Sequence, residues 1–126
     1  MNKEDTKVNA AIIIIGNEIL SGRTQDVNIV SISKWLNGLG VRVEEVRVIS
    51  DVEEHIIKAI HDLREKFNYI FTTGGIGPTH DDITSKSIAK AFSLSYGYHK
   101  EAYEILEKYY GKDKFSDGRK KMAMLP

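Results

Sequence analysis

The sequence predicts an α/β domain, a three-layer αβα sandwich built on a mostly parallel sheet. Three observations carry this reading. The run from Ala10 to Ile15 is apolar and β-rich without polar alternation, as in a strand covered on both faces. Segments with apolar residues at helical spacing alternate with short β-rich segments along the chain. Glycines punctuate the joins, at Gly16, Gly40 and the cluster Gly74, Gly75 and Gly77.

The elements follow in order. Ala10 to Ile15, closed by Gly16, is the first strand. From Asp26 onward Ile29, Ile32, Leu36 and Leu39, with Trp35 beside them, recur at spacings of three and four and predict the first helix, stopped by Gly38 and Gly40. Val41, Val43, Val46 and Val48 nearly alternate, and the change of parity between 43 and 46 predicts a bulge or an edge strand. Ser50 and Asp51 are each followed three residues later by a glutamate, Glu53 and Glu54, the pattern of a helix cap. Ile56, Ile60, Leu63 and Phe67 then share one face of the second helix. Tyr69 to Thr73 is a third strand that runs into the glycine cluster, and Ile83 to Phe92 reads as a helix with Ile88 and Phe92 inward. A last helix covers His99 to Tyr110, supported by Glu104 and Lys108 at i, i+4, and Gly111 to Gly118 reads as a polar loop.

Composition bounds the rest. The 126 residues, 41% hydrophobic and 29% charged, are enough for one core and one domain, residues 1–126. Eighteen basic residues balance eighteen acidic ones, which argues against an electrostatic grip on nucleic acid or on an anionic membrane. Without cysteine, a metal has only carboxylate, hydroxyl and imidazole donors, which favours hard cations such as Mg²⁺. Ala10 to Ile15 is too short to span a bilayer, and the polar head Met1 to Lys7 precedes no apolar stretch of signal-peptide length, so a cytoplasmic location is expected.

In open parallel sheets ligands bind outside the carboxyl ends of the strands. Three segments follow strands here: Gly16 to Asn28, Ser50 with Asp51, and Thr72 to Asp82. The last holds the strongest signal. In Thr73-Gly74-Gly75-Ile76-Gly77-Pro78-Thr79 three glycines in four positions let the backbone approach a ligand, and N–H groups before a helix suit phosphate. No Gly-Lys-Ser/Thr follows, so this is not a P-loop, and His80 stands where a dinucleotide fingerprint needs glycine. Asp81 and Asp82 read either as helix caps or as carboxylates that hold Mg²⁺ against a diphosphate. Asp51, after another strand of the sheet, reads as a third acid of the site or as an N-cap. Gly16, Asn17, Glu18, Ser21 and Asn28 form a second wall, with amides and hydroxyl for a heterocycle or ribose; Asp26 reads as a cap. Among the histidines only His80 is a candidate proton carrier or phosphate contact, and Arg119-Lys120-Lys121 reads as a solvated basic end.

These motifs, Gly16-Asn17-Glu18-Ile19-Leu20-Ser21-Gly22, Asp26-Val27-Asn28, Asp51, and Thr73 through Thr84 in the form TGGIGPTHDDIT, resemble the molybdopterin-binding domain family. That family includes adenylyltransferases of the MogA and MoaB type and the N-terminal part of the competence/damage-inducible protein CinA. The Pro-Thr-His-Asp-Asp-Ile-Thr form and Arg119-Lys120 followed by Ala123, Leu125 and Pro126 resemble the CinA-like branch. The resemblance implies a molybdopterin or adenine nucleotide ligand, bound as its diphosphate at the glycine loop with a divalent metal, and a homo-oligomer. It implies essential roles for Asp51 and Asp82. In one branch the chemistry is molybdenum cofactor biosynthesis from molybdopterin and Mg-ATP; in the other it is hydrolysis of the pyrophosphate of ADP-ribose or a related dinucleotide. A non-catalytic binding or assembly module is the reading from a different class. Val27 stands where the family more often has threonine, and family members usually continue past Pro126 through another strand and a loop that helps close the site. The sheet edge left without that strand is expected to need a partner.

Overall fold

An apolar run such as Ala10 to Ile15 needs cover on both faces and both edges, and it takes the centre of the sheet. The computed structural model describes residues 8–126; the polar head Met1 to Lys7 lies outside them. The order is β1 (Val8–Ile15), α1 (Asn17–Leu20), α2 (Asn28–Gly38), β2 (Val41–Ile49), α3 (Glu53–Arg64), β3 (Tyr69–Thr73), α4 (Thr84–Ala91), β4 (Gly97–Tyr98), α5 (Lys100–Tyr110), a 3-10 turn (Lys112–Lys114), α6 (Asp117–Lys121) and β5 (Met124–Leu125). The main sheet has the order β2-β1-β3, and both pairings are parallel. β4 and β5 form a separate two-residue antiparallel pair.

The parity change in β2 is a bulge. Val43 lies opposite Ala10 and Glu45 opposite Ala11, so Glu44 is the extra residue. β2 is also an edge strand, with charged side chains along it: Arg42 pairs with Glu44 at 3.0 Å, and Arg47 with Glu45 at 2.7 Å and Asp62 at 3.0 Å. Bulge and charge together oppose pairing with another chain along that edge.

β2 and β3 lie on opposite sides of β1, so the two crossovers run in opposite directions. With right-handed connections this places α2 on one face and α3 on the other. Side chains alternate accordingly. Ala11, Ile13 and Ile15 form one core with Ile56, Ala59, Ile60 and Leu63 of α3 and Ala91 of α4. Ala10, Ile12 and Ile14, 0–2% exposed, face the other layer, to which α2 contributes buried Leu36. The chain reverses direction across the sheet at β1, and the crevice of such a fold opens between the loops after β1 and β3.

Several local expectations are corrected. Ser50 and Asp51 do not cap α3; Val52 holds the N-cap position, Ser50 Oγ is 2.7 Å from His55 Nδ1 and Asp51 accepts from Asn17. For Asp51 a partner brought by the fold outcompetes the local cap, and Ser50 is taken by a side chain of α3 itself. The Gly16 to Asn28 segment contains the one-turn helix α1. Trp35 and Leu39 are more than half exposed on the flank of α2, and Phe92 is 40% exposed with the Arg64 guanidinium 4.8 Å over its ring. Gly111 to Gly118 is not a plain loop: it contains the 3-10 turn, buried Phe115 and the start of α6, which Ser116 caps by accepting the Arg119 N–H. His99 does open α5, its Nδ1 accepting the Ala102 N–H at 3.2 Å. Glu104 and Lys108 form no ion pair, and α5 instead packs through Tyr103 against Phe115. Among the described residues no helix is long and apolar enough to cross a membrane.

Candidate functional site

β3 ends at Thr73, and the chain turns at once with φ of 89° at Gly74 and 66° at Gly75. Both are left-handed conformations that favour glycine. Space imposes the same choice. A Cβ on Gly74 would lie 2.0 Å from the Ile15 carbonyl oxygen, and one on Gly75 2.2 Å from Thr84 Oγ1. The turn is thus pressed against the end of β1 and the first residue of α4. Fully buried Thr84 fastens it: its hydroxyl donates to the Gly74 carbonyl at 2.8 Å, and its N–H donates to the Gly75 carbonyl at 3.0 Å.

The acids beyond the turn part company. Asp81 and His80 are both largely exposed and face each other at 3.1 Å. Asp82 turns inward, its Oδ2 accepting the Thr79 N–H at 2.9 Å and the Thr79 hydroxyl at 2.8 Å. Gly77 passes so close that a Cβ there would meet Asp82 Oδ2 at 2.8 Å. Burial pushes the Asp82 carboxyl up, but the Thr79 bonds, the Gly77 backbone and the Lys121 charge outweigh it and hold the carboxyl below its ordinary value. Neither acid caps α4, whose N-cap is Ile83.

The C-terminal segment closes over this loop. Lys121 Nζ donates to the Thr79 carbonyl, and α6 approaches so closely that a Cβ on Gly118 would lie 2.9 Å from the Pro78 carbonyl oxygen. A cavity of about 140 Å³ results. Gly75, Gly77, Asp82, Ser85 and Lys121 line it together with Ile76, Tyr96, Met122, Met124 and Leu125. Burial raises the pKa of the Tyr96 phenol, so it stays protonated there.

The loop after β1 meets the same end of the sheet. The Gly16 N–H donates to the Ile49 carbonyl at 3.0 Å, and Asn17 Nδ2 donates to Asp51 Oδ1 at 2.7 Å, tying the loops after β1 and β2 together. The Glu18 carboxylate folds back over Gly16, where a Cβ would meet its Oε1 at 2.6 Å. Ser21 is spent locally: it donates to the Glu18 carbonyl and accepts from Arg23 Nε. Asp26 caps α2 by accepting the Ile29 N–H at 2.9 Å, and Asn28 opens that helix exposed.

The fold therefore gathers Gly16, Asn17, Asp51 and Gly74 at the carboxyl end of β1, with Asp82 on the adjoining loop. It leaves Ser21, Asn28, His80 and Asp81 on the outside. Among the described residues no three His, Asp or Glu side chains come together to hold a metal by themselves. Mg²⁺ typically takes one or two carboxylates, with phosphate oxygens and water for the rest, and Asp51 and Asp82 suit that kind of site. Sequence reasoning took Lys121 for part of a solvated end and passed over Tyr96, Ser85 and Met122. No sequence signal marked Lys121, whose position depends on how closely Gly118, one turn earlier, passes Pro78.

Comparison with known proteins identifies the family. Residues 11–126 match the family model described as a probable molybdopterin binding domain, and the chain belongs to that family. It is 39% identical over 120 residues to a protein of Sulfurisphaera tokodaii, covering 93% of this chain and 46% of that one. A CinA-like protein of Chloroherpeton thalassium is 41% identical over 95 residues, 75% of this chain and 23% of the relative. The chain thus spans about half the length of the archaeal relative and less of the second. Among solved structures it is similar to the protein CinA, of unknown function, from Thermoplasma acidophilum: TM-score 0.86, 34% identity, 94% of this chain and 70% of that one. The molybdopterin biosynthesis enzyme MoaB of Thermus thermophilus shares the fold, with TM-score 0.63 and 24% identity over 66% of this chain and 54% of that one. The fold is shared with the MoaB structure, and in sequence the chain is similar to CinA and to a CinA-like protein.

Proposed function

We propose that the domain binds the diphosphate of a pterin or adenine nucleotide, with a divalent metal, in the crevice between Gly16–Glu18 and Gly74–Asp82. The observation that supports this most is the state of Asp82: both Thr79 bonds go to Oδ2, so the carboxylate is oriented while Oδ1 takes no bond from Thr79. Asp51 is oriented the same way by Asn17, through one oxygen. Two carboxylates, each oriented through one oxygen, suit a hard cation carried in on phosphates. The metal, Mg²⁺ in the first instance, would neutralise phosphate charge as a bond at phosphorus is made or broken. The glycine turn would keep that phosphate close to backbone N–H groups.

Two chemistries fit such a site, transfer of an adenylyl group to a pterin phosphate in molybdenum cofactor biosynthesis and hydrolysis of a dinucleotide pyrophosphate. The resemblance of the Pro-Thr-His-Asp-Asp-Ile-Thr form to the CinA-like branch is what supports hydrolysis. In it the oxygen of water bonds to one phosphorus, the bridging P–O bond breaks, and AMP leaves with the bridging electron pair or receives the water oxygen. A cytoplasmic setting and a homo-oligomer belong to the same proposal, the exposed Leu20, Val27 and Val30 around α1 and α2 offering apolar surface to a second copy.

The deciding experiment is AMP release from ADP-ribose and from FAD with Mg²⁺, Mn²⁺ or Co²⁺, wild type against Asp82→Asn. Release that needs both metal and Asp82 supports the pyrophosphatase. Release from neither, with Mg-ATP-dependent adenylylation of molybdopterin, supports the transferase. Failure of both reactions sinks the catalytic proposal and leaves a binding module.

A further inference from the structure

The basic run of α6 is not a uniform solvated end, because its three side chains have different fates. Arg119 donates to the Lys114 carbonyl at 2.8 Å and lies 4.2 Å over the Tyr110 ring. Lys120 is 5.9 Å from the Phe115 ring and 4.0 Å from Asp117. Only Lys121 turns toward the glycine loop, where it lines the cavity with Gly75, Gly77, Asp82 and Ser85.

We infer that Lys121 is a phosphate-binding residue of this site, the cation that fixes one phosphate of the ligand against the Gly75–Gly77 turn, opposite the metal face of Asp82. Three features of its placement carry this. An ammonium has three donors, and the Thr79 carbonyl takes one. Lys121 and Asp82 share the cavity wall, and among the described residues the Asp82 hydrogen bonds take no donor of the Lys121 ammonium, so its remaining donors are open to a ligand. The backbone beneath is also fixed: buried Phe115, the Ser116 cap, fully buried Ala123 and the His99 N–H bond to the Ala123 carbonyl at 2.7 Å anchor α6 on both sides. A tether for the Thr79 loop is not needed in addition, since Asp82 already holds Thr79 through two bonds. In a chain of zero net charge, a single placed cation is how a diphosphate is attracted locally.

The inference rests on the diphosphate reading, and its test uses neither nucleotide nor turnover. Binding of inorganic pyrophosphate with Mg²⁺ is measured by calorimetry on the full chain for wild type, Lys121→Gln, Lys121→Arg and Lys120→Gln. Glutamine keeps a donor for the Thr79 carbonyl and removes the charge. Lys121→Gln is expected to weaken pyrophosphate at least about tenfold, the loss of a charged hydrogen bond. Lys121→Arg is expected to stay within about threefold, since it keeps charge and donors. Lys120→Gln should bind as wild type does, and thermal melts of all three should coincide within a few degrees. Equal affinity in Lys121→Gln and wild type overturns the inference, as does an equal loss in Lys120→Gln or no pyrophosphate binding by the wild type. A melt lowered only in Lys121→Gln, with arginine restoring the fold and not the affinity, overturns it in favour of a tether. Failure to cleave ADP-ribose or FAD bears on the hydrolytic reading alone, because pyrophosphate binding is scored independently.

Discussion

Two loops meet at the carboxyl end of β1, and they are built on opposite plans. The loop after β3 is held from outside itself: Gly74 touches the end of β1, Gly75 touches Thr84 of α4, and Lys121 and Gly118 reach it from α6. The loop after β1 is held mostly by itself, through Ser21 to Glu18, Arg23 to Ser21 and the Thr24 N–H to the Glu18 carbonyl. Its long tethers both run to the end of β2, the Gly16 N–H to the Ile49 carbonyl and Asn17 to Asp51. The difference teaches a division of labour. On the proposed function, the turn that would meet phosphate is over-determined by its neighbours, whereas the wall proposed to face the ring is held by fewer of them.

The largest effect should come from breaking the rigid loop. Gly74→Ala sets a Cβ 2.0 Å from a backbone oxygen of the central strand at φ 89°, with no flexible side chain to yield. We expect a destabilisation on the order of 3 kcal/mol and loss of ligand binding, read by denaturant unfolding and calorimetry. A near-wild-type melt would mean that the two loops do not differ in rigidity. Second in size is Asp82→Asn, with a fall in AMP release of about a hundredfold or more from loss of the charge proposed to hold the metal. Its melting temperature should drop by no more than about 4 °C, because asparagine can still accept from Thr79. A collapse of the fold with the activity would assign Asp82 a structural role.

The same contrast separates what was legible in the sequence from what was not. β1 could be read because six apolar residues in a row have only one environment in an α/β fold, and the bulge at Glu44 because a single parity change in valines reports it directly. The glycine turn was legible as a turn, since its residue types encode its backbone. What escaped depends on distant partners. Asp51 looked like a cap because the asparagine that claims it stands 34 residues away. Lys121 looked solvated because Thr79 is 42 residues away. α6 has five residues and no apolar periodicity to announce it, and buried Phe115 sits among polar neighbours. Asp81 and Asp82 are adjacent, so only the path of the backbone decides which one turns inward.

A middle-sized prediction tests the tether between the loops. Asn17→Ala frees Asp51 from its fixed orientation, and we expect AMP release to fall about tenfold with a stability change near 1 kcal/mol. A pH profile sharpens the role of Asp82. Its folded carboxyl lies below the ordinary value of 3.8, so its contribution to stability is complete above that value and is lost as pH falls through the lowered one. Asp82→Asn should therefore steepen nothing above pH 5, and the two proteins should lose their stability difference only in the acid limb, as followed by circular dichroism.

The smallest effect should come from the β1 loop. Gly22 has φ 79°, as left-handed as Gly74, yet a Cβ there meets nothing within 4 Å. Gly22→Ala carries only the conformational cost, about 1 kcal/mol, with AMP release close to wild type. The pair Gly74→Ala and Gly22→Ala thus separates crowding from backbone conformation at nearly equal φ. Equal destabilisation would show that left-handed geometry alone sets the cost and that contact with β1 does not stiffen the glycine turn. Unequal destabilisation in the expected order locates the rigidity of the site in what surrounds Gly74.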